Sequence, residues 1–284
     1  MTTQLLSLRQ IALVTRDLEE SLRFWTGLLD LEECYRDDLG TFGLSNVLLP
    51  IGEGFLELLQ SENPTSAGAR FLDRHGEGLY MTIFEGTDAA ALKDDLATEG
   101  IPLAFDSAGR ENHSIHMHPK AMGRVLYSVE HPRQPGEWSP AGFDWKRHVR
   151  TDIVRRIAGV GMITPDAEAD AERFTRLFGL RAERVWEQDG LRIHNLPVGD
   201  SGTFIEFQQP VDTGAPAARY LERHGPGMYY WALETPDLDR AVARAKEHGV
   251  GIIREEQQNA GGGRSAWLHP RTAHGALTEL IERR

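Results

Sequence analysis

Apolar residues recur along the chain with two alternating periods, and the alternation repeats four times. Residues 8–14 form a short apolar run, the pattern of a buried strand. Leu18, Leu22, Trp25 and Leu29 follow at i, i+4, i+7 and i+11, one face of a helix that Thr15 or Asp17 is placed to cap. Three further strands are predicted over 31–36, 43–49 and 55–60, so the opening segment reads βαβββ. A second such unit starts with the apolar run 79–84 and passes through a helix over 88–99 to a strand over 125–130. The third starts at 156–163; Ala167, Ala171, Phe174 and Phe178 repeat the spacing of the first helix, with Pro165 where a first helical turn tolerates proline. The fourth runs from 228–233 through a helix over 237–248, stopped by Gly249, to the last residues.

Two stretches are near copies of each other. Residues 69–80 and 218–229 share Arg70/Arg219, Leu72/Leu221, Arg74/Arg223, His75/His224, Gly76/Gly225, Gly78/Gly227 and Tyr80/Tyr229 at a constant offset of 149. The same offset joins Glu85 to Glu234 and Gly100 to Gly249, so the chain reads as a tandem duplication. The predicted class is α+β, with four βαβββ units in two modules, 1–135 and 154–284, and a linker over 136–153. Three prolines and two glycines between His131 and Trp145 exclude a regular element there, and Trp138, Phe143 and Trp145 are expected to anchor it on a surface. The repeated Arg-His-Gly is expected to be a structural turn.

Composition narrows the function. With 284 residues, 40% hydrophobic and 26% charged, the chain has the make-up of a soluble globular protein that needs no disulfide to fold. Its single cysteine, Cys34, excludes an intrachain disulfide and fits a reducing compartment. The first residues lack a basic segment followed by an apolar one, and no apolar run approaches the roughly 20 residues of a membrane helix. A net charge of −12 spread along the chain disfavours nucleic acid and anionic membranes, which are held by clustered Lys and Arg. A cytoplasmic protein with a small-molecule substrate or ligand is expected, and a homodimer is compatible with the chain. Gly261, Gly262 and Gly263 form a loop without the helix and Lys-Ser/Thr of a P-loop, and no nucleophile elbow or dinucleotide fingerprint is present.

Residues Asp17-Leu-Glu-Glu-Ser-Leu22, Phe24-Trp25 and Gly27-Leu-Leu-Asp-Leu31 carry a resemblance. With the ending His269-Pro-Arg-Thr-Ala-His-Gly-Ala-Leu-Thr-Glu-Leu280 and its weaker twin at 118–128, they resemble the vicinal oxygen chelate superfamily of glyoxalase-like, bleomycin resistance-like and extradiol dioxygenase-like proteins. The resemblance covers nearly the whole chain outside the linker. It implies paired units curled into cups that hold a divalent metal (Ni, Co, Zn, Mn or Fe) through His or Gln on first strands and Glu on last strands. Carried onto this chain, the positions are Gln10 and Glu57, Met81 and Ser128, Gly159 and Glu206, and Tyr230 and Glu279 in units one to four. Four of the eight keep a ligand-capable family residue: Gln10, Glu57, Glu206 and Glu279. Two pairings of units are open. Pairing neighbours leaves at most two good ligands per cup, whereas pairing unit one with unit four would unite Gln10, Glu57 and Glu279 beside Tyr230, the favoured alternative.

The resemblance leaves two functions open. One is an isomerase, epimerase or lyase that moves a proton next to a carbonyl, with Gln10, Glu57 and Glu279 on the metal. Glu279 or Glu57 would then be the base, and Tyr230 a donor to an oxyanion. A ring-cleaving reading is less favoured, because the two histidines of that chemistry are missing. The other is a metal-free protein that sequesters an aromatic compound, as resistance-type relatives do. Trp231, Trp267 and Arg264 are its substrate-binding candidates, with Trp186 also available. His113, His116 and His118 lack the accompanying Cys or carboxylate spacing of a zinc site, and His194 and His274 cannot be placed by pattern.

Overall fold

A computed structural model describes residues 2–134, 136–259 and 261–283. The first unit comprises β1 (Leu5–Thr15), α1 (Leu18–Leu29), β2 (Tyr35–Leu39), β3 (Leu44–Ile51) and β4 (Gly54–Ser61). Asp17 caps α1 by accepting from the Glu20 amide, which satisfies one orphan donor of the first turn. β2 begins later than the pattern predicted. Leu31 is buried, while Glu32 pairs with His148 and Arg150 and Glu33 pairs with Arg36, so side chains 31–34 do not alternate as a strand requires.

The helix α2 (Ala67–His75) was not anticipated. Ser66 caps it by accepting from the Ala69 amide, and Gly76 stops it at φ 76°, a left-handed value that glycine tolerates. The duplicated Arg-His-Gly is therefore the end of a short helix rather than an isolated turn. The second unit follows as β5 (Gly78–Gly86), α3 (Ala89–Thr98), β6 (Leu103–Ala108), β7 (Asn112–Met117) and β8 (Leu126–Pro132).

The third unit comprises β9 (Arg156–Ile163), α4 (Ala167–Phe178), β10 (Arg184–Gln188), β11 (Leu191–Val198) and β12 (Thr203–Pro210), trailed by α5 (Pro216–His224), the copy of α2. Asp166 is the α4 cap, so Pro165 precedes the helix instead of opening its first turn. The fourth unit is β13 (Gly227–Glu234), α6 (Leu238–Glu247), β14 (Ile252–Glu256), β15 (Arg264–Leu268) and β16 (Thr278–Glu282).

The strands form two eight-stranded mixed sheets with helices, an α+β architecture. The orders are β2-β3-β4-β1-β5-β8-β7-β6 and β10-β11-β12-β9-β13-β16-β15-β14. In each unit the first and last strands pair in parallel and the others antiparallel. Neighbouring units thus share a sheet.

Compaction groups the chain differently. One compact unit contains Met1–Arg9, Met81–Ser139 and Gly159–Tyr229; the other contains Gln10–Tyr80, Pro140–Ala158 and Tyr230–Arg284. In the first, Phe174 of α4 packs edge-on against Tyr127 at 5.2 Å and Phe207 at 5.0 Å. In the second, Trp25 of α1 and Trp231 of β13, both fully buried, meet edge to face at 5.6 Å. Truncating a core aromatic of this kind costs about 3–5 kcal/mol.

The linker is anchored in both compact units. Trp138 lies under the Arg9 guanidinium at 4.8 Å, and Trp145 sits edge-on against Phe55 at 5.0 Å. Phe143, the third expected anchor, is 78% exposed and anchors nothing. Among the described residues no helix is long and apolar enough to cross a membrane.

Candidate functional site

The family-ligand positions fall on β1, β4, β5 and β8 of the first sheet and on β9, β12, β13 and β16 of the second. The set Gln10, Glu57 and Glu279 is therefore divided: the first two stand on one sheet and Glu279 on the other. The hydrogen-bonded ladders join each unit to its neighbour in sequence, whereas the pairing of unit one with unit four concerns packing. The outer units do share a compact unit. Within it, Trp231 faces Trp25 of α1, and strand alternation turns the adjacent Tyr230 to the opposite face.

In the first unit, Gln10 and Glu57 come together at 3.1 Å, the amide Nε2 donating to Glu57 Oε2. Asn46 of β3 donates to the other carboxylate oxygen at 2.7 Å, and its own Oδ1 accepts from the Asp37 amide. All three side chains are buried, so the donors meet the requirement that a buried carboxylate be hydrogen-bonded. Register places Phe55 beside Gln10 on the same face, two residues from Glu57, and Trp145 packs on that phenyl ring. The linker thus covers part of the surface that carries this pair.

The third unit repeats the device with a substitution. Glu206 accepts from Asn195 at 3.0 Å and from Gln208 at 3.0 Å. Asn195 stands 149 positions after Asn46, and Glu206 149 after Glu57, so the clamp is duplicated. Gln208 supplies the amide that Gln10 supplies in the first unit. At Gly159, the copy of Gln10, a Cβ would meet the Phe204 ring at 2.5 Å, so the phenyl group has filled the space a longer side chain would need.

On the fourth unit, three of the expected residues share a face. Trp267 lies across from Glu279 in the β15–β16 ladder, and Glu279 lies beside Ala232, two residues from Tyr230. The Tyr230 and Trp267 rings are 5.0 Å apart, and the Arg254 guanidinium lies 5.4 Å over the indole. Tyr230 and Glu279 are buried; Trp267 is half-buried, with its indole Nε1 enclosed and no hydrogen-bond partner.

The other two substrate-binding candidates are not on this face. Trp231 is core, its indole N–H donating to Thr278 at 2.7 Å. Arg264 is held by Asp239 and, at 3.2 Å, by Glu282, so its charge is neutralised within the fourth unit. On the third unit, Trp186 lies under Arg184 at 4.8 Å and donates to Gln188.

The second unit holds Met81 and Ser128 at its ligand positions, both buried. Glu130, two residues past Ser128 and on the same face, was missed by the sequence reading. The family pattern placed a carboxylate only at 128, and no spacing rule singles out a Glu displaced by one strand repeat. Asn46 and Asn195 were missed as well, although their shared offset of 149 is a visible signal.

These donor sets are poor in metal ligands, since none of the four first-strand positions carries a histidine. Each oxygen of Glu57 and of Glu206 accepts one amide N–H, so these carboxylates are already held by neutral donors. Among the described residues no three of His, Cys, Asp and Glu gather as a metal group.

Fold and faces together define a duplicated βαβββ protein with clamped carboxylates on the first and third units, at the sheet positions where the resemblance implies ligands. The family model of the Glyoxalase/Bleomycin resistance protein/Dioxygenase superfamily matches residues 9–117 and again 159–267, and the chain belongs to that superfamily. Two relatives match part of it. An uncharacterized protein, YqjC, of Bacillus subtilis is 29% identical over 119 residues, 41% of this chain and 82% of the relative. The mitochondrial methylmalonyl-CoA epimerase of Bos taurus is 27% identical over 130 residues, 44% of this chain and 73% of the relative. A mutant 4-hydroxymandelate synthase from Streptomyces coelicolor is similar in structure across 100% of this chain and 94% of its own, with TM-score 0.78 and 16% identity, which establishes the shared tandem fold.

Proposed function

We propose that this superfamily member is a small-molecule-binding protein that works without a divalent metal, with its ligand face on the fourth unit. The observation that carries the reading is Trp267. Its half-buried indole has an enclosed, unpartnered N–H, and it stands beside Tyr230 and Glu279. Aromatic rings bordering a carboxylate make an apolar wall with one polar point, the usual lining of a small-ligand site. The clamped state of Glu57 and Glu206 supports metal independence, since each of their oxygens already accepts an amide N–H.

The enzymatic alternative is an isomerase of the kind the bovine relative is named for. It has less support, because its metal set would draw on Glu57, both of whose oxygens already accept an amide N–H. Titration with the aromatic dye anilinonaphthalene sulfonate, read by energy transfer from tryptophan, tests the binding reading. Trp267→Phe and Glu279→Gln are expected to weaken dye binding about tenfold or more. Equal binding by both folded variants would place the ligand face elsewhere.

A further inference from the structure

The duplication leaves one place unequal. Two short turns, Pro119–Ala121 and Pro270–Thr272, are each capped by the histidine before them, at a spacing of 151. The same spacing relates Tyr127, beside Thr82 in its ladder, to Thr278, beside Trp231. Gly123 therefore matches His274, and both backbones are left-handed, at φ 62° and 47°. The His274 imidazole is seated on protein groups: its Nδ1 lies 3.0 Å from Glu77 Oε2, and its ring 4.7 Å from that of Phe24 on α1. At Gly123 no side chain takes that place. Beyond the chain neighbours, a Cβ there would meet only Asp170 Oδ2, at 3.7 Å.

A pocket lies at Gly123, wholly within the first compact unit. It measures about 240 Å³ out to the solvent at its mouth, and its enclosed end is the size of one water, so it takes the edge of a small ring rather than a large body. Met122 and Met162 belong to its apolar wall; Tyr127, Thr164, Asp170 and Arg173 supply its polar groups. Tyr127 adjoins Ser128 on β8, so alternation turns it to the opposite face, where Phe174 of α4 packs on its ring. The pocket thus opens on the helix side of the sheet, away from the family-ligand positions. Asp170 and Arg173 stand 149 positions after Ser21 and Phe24, and Pro226 stands 149 after Glu77. The carboxylate that Glu77 offers His274 is therefore replaced here by one from α4. Asp170 accepts from Thr164 at 2.6 Å and pairs with Arg173, which cancels its charge. Tyr127 is 2% exposed, and no described residue hydrogen-bonds its hydroxyl.

We propose that the pocket at Gly123 binds a small ligand carrying a neutral imidazole, whose ring takes the place that the His274 side chain fills in the repeat. A neutral imidazole has one N–H and one bare nitrogen. The N–H donates to Asp170 Oδ2, which has a lone pair left beside the Thr164 bond, and the bare nitrogen accepts from the Tyr127 hydroxyl. The carbon edge of the ring meets Met122 and Met162. A ring lacking either nitrogen function would leave one of the two polar groups unmet.

Imidazole itself is the probe, titrated into the intact, untagged protein while the methyl signals of Met122 and Met162 are followed by NMR. A saturable shift of both is expected. Pyrrole, which lacks the bare nitrogen, and N-methylimidazole, which lacks the N–H, should each bind about tenfold more weakly or worse, the value of one lost hydrogen bond. Gly123→His is expected to abolish binding, because its own ring fills the pocket from a left-handed backbone like that of His274. Tyr127→Phe is expected to weaken binding about tenfold; it removes only a hydroxyl and keeps the test if the first variant does not fold. Pyrrole and imidazole binding alike, no saturation of either methyl signal up to about 100 mM imidazole, or unchanged affinity in a folded variant would each overturn the proposal. Trp267 belongs to the other compact unit and its dye binding is read separately, so either site can fail alone.

Discussion

A buried carboxylate survives in a protein only if its lone pairs are met, and three units of this chain meet that demand with neutral donors. Asn46 and Gln10 serve Glu57, Asn195 and Gln208 serve Glu206, and Asn112, Ser114 and Ser128 serve Glu130. Removing one donor takes a hydrogen bond away from a buried carboxyl group. Asn46→Ala and Asn195→Ala are each expected to cost about 2 kcal/mol in chemical denaturation; no loss in either would mean the clamp contributes nothing.

Acid sensitivity belongs at this scale too. Glu77 accepts from His274, Thr15 and the Arg16 amide, and these partners lower its pKa from 4.5 to about 2, the His274 bond contributing most. A carboxyl depressed in the folded state stabilises fully above its unfolded value and loses that contribution as pH falls from about 4.5 toward 2. Stability of the parent should therefore decline across that window, and Glu77→Gln should flatten the decline. Parallel pH curves for the two proteins would contradict the assignment.

Elements show how far the pattern of the chain reaches. Long amphipathic helices and apolar strands were legible because each carries several periodic positions: α1, α3, α4 and α6 lie where the spacing put them. The nine-residue α2 and α5 were not, because one turn-and-a-half of apolar spacing is no signal against a strong turn motif. The clamps were half legible. Glu57 and Glu206 stood out by resemblance, but their amide partners sit on other strands, and only register reveals that Asn46 points at Glu57.

Gly159 records a related event. Phe204 occupies its Cβ space, so Gly159→Ala should destabilise by about 1–3 kcal/mol through overpacking, measured by thermal or denaturant unfolding. The linker makes a comparable contribution on the first unit. Trp145 is 3% exposed against Phe55, and Trp145→Ala should cost about 3–5 kcal/mol. A cost near zero would show that the linker rests on that face without holding it.

At the scale of the whole molecule, duplication has kept the scaffold and varied the faces. The constant offset of 149 preserves helix ends, turns and the Asn–Glu clamp. The first-strand positions have diverged to Gln10, Met81, Gly159 and Tyr230, none of them a histidine. Resemblance alone could name the superfamily but not the chemistry, because the scaffold tolerates any face that satisfies its buried groups. The sharing of sheets between neighbouring units, while the outer units share a compact unit, is a fact of long-range contacts that no local pattern encodes.

On the proposed reading, amide and hydroxyl donors hold these carboxylates in place of a metal. Elemental analysis of the protein, purified without chelators and dialysed against a mixture of Ni, Co, Zn, Mn and Fe salts, tests it most directly. The account predicts no stoichiometric divalent ion; one ion per chain that disappears in Glu57→Ala or Glu279→Ala would contradict it.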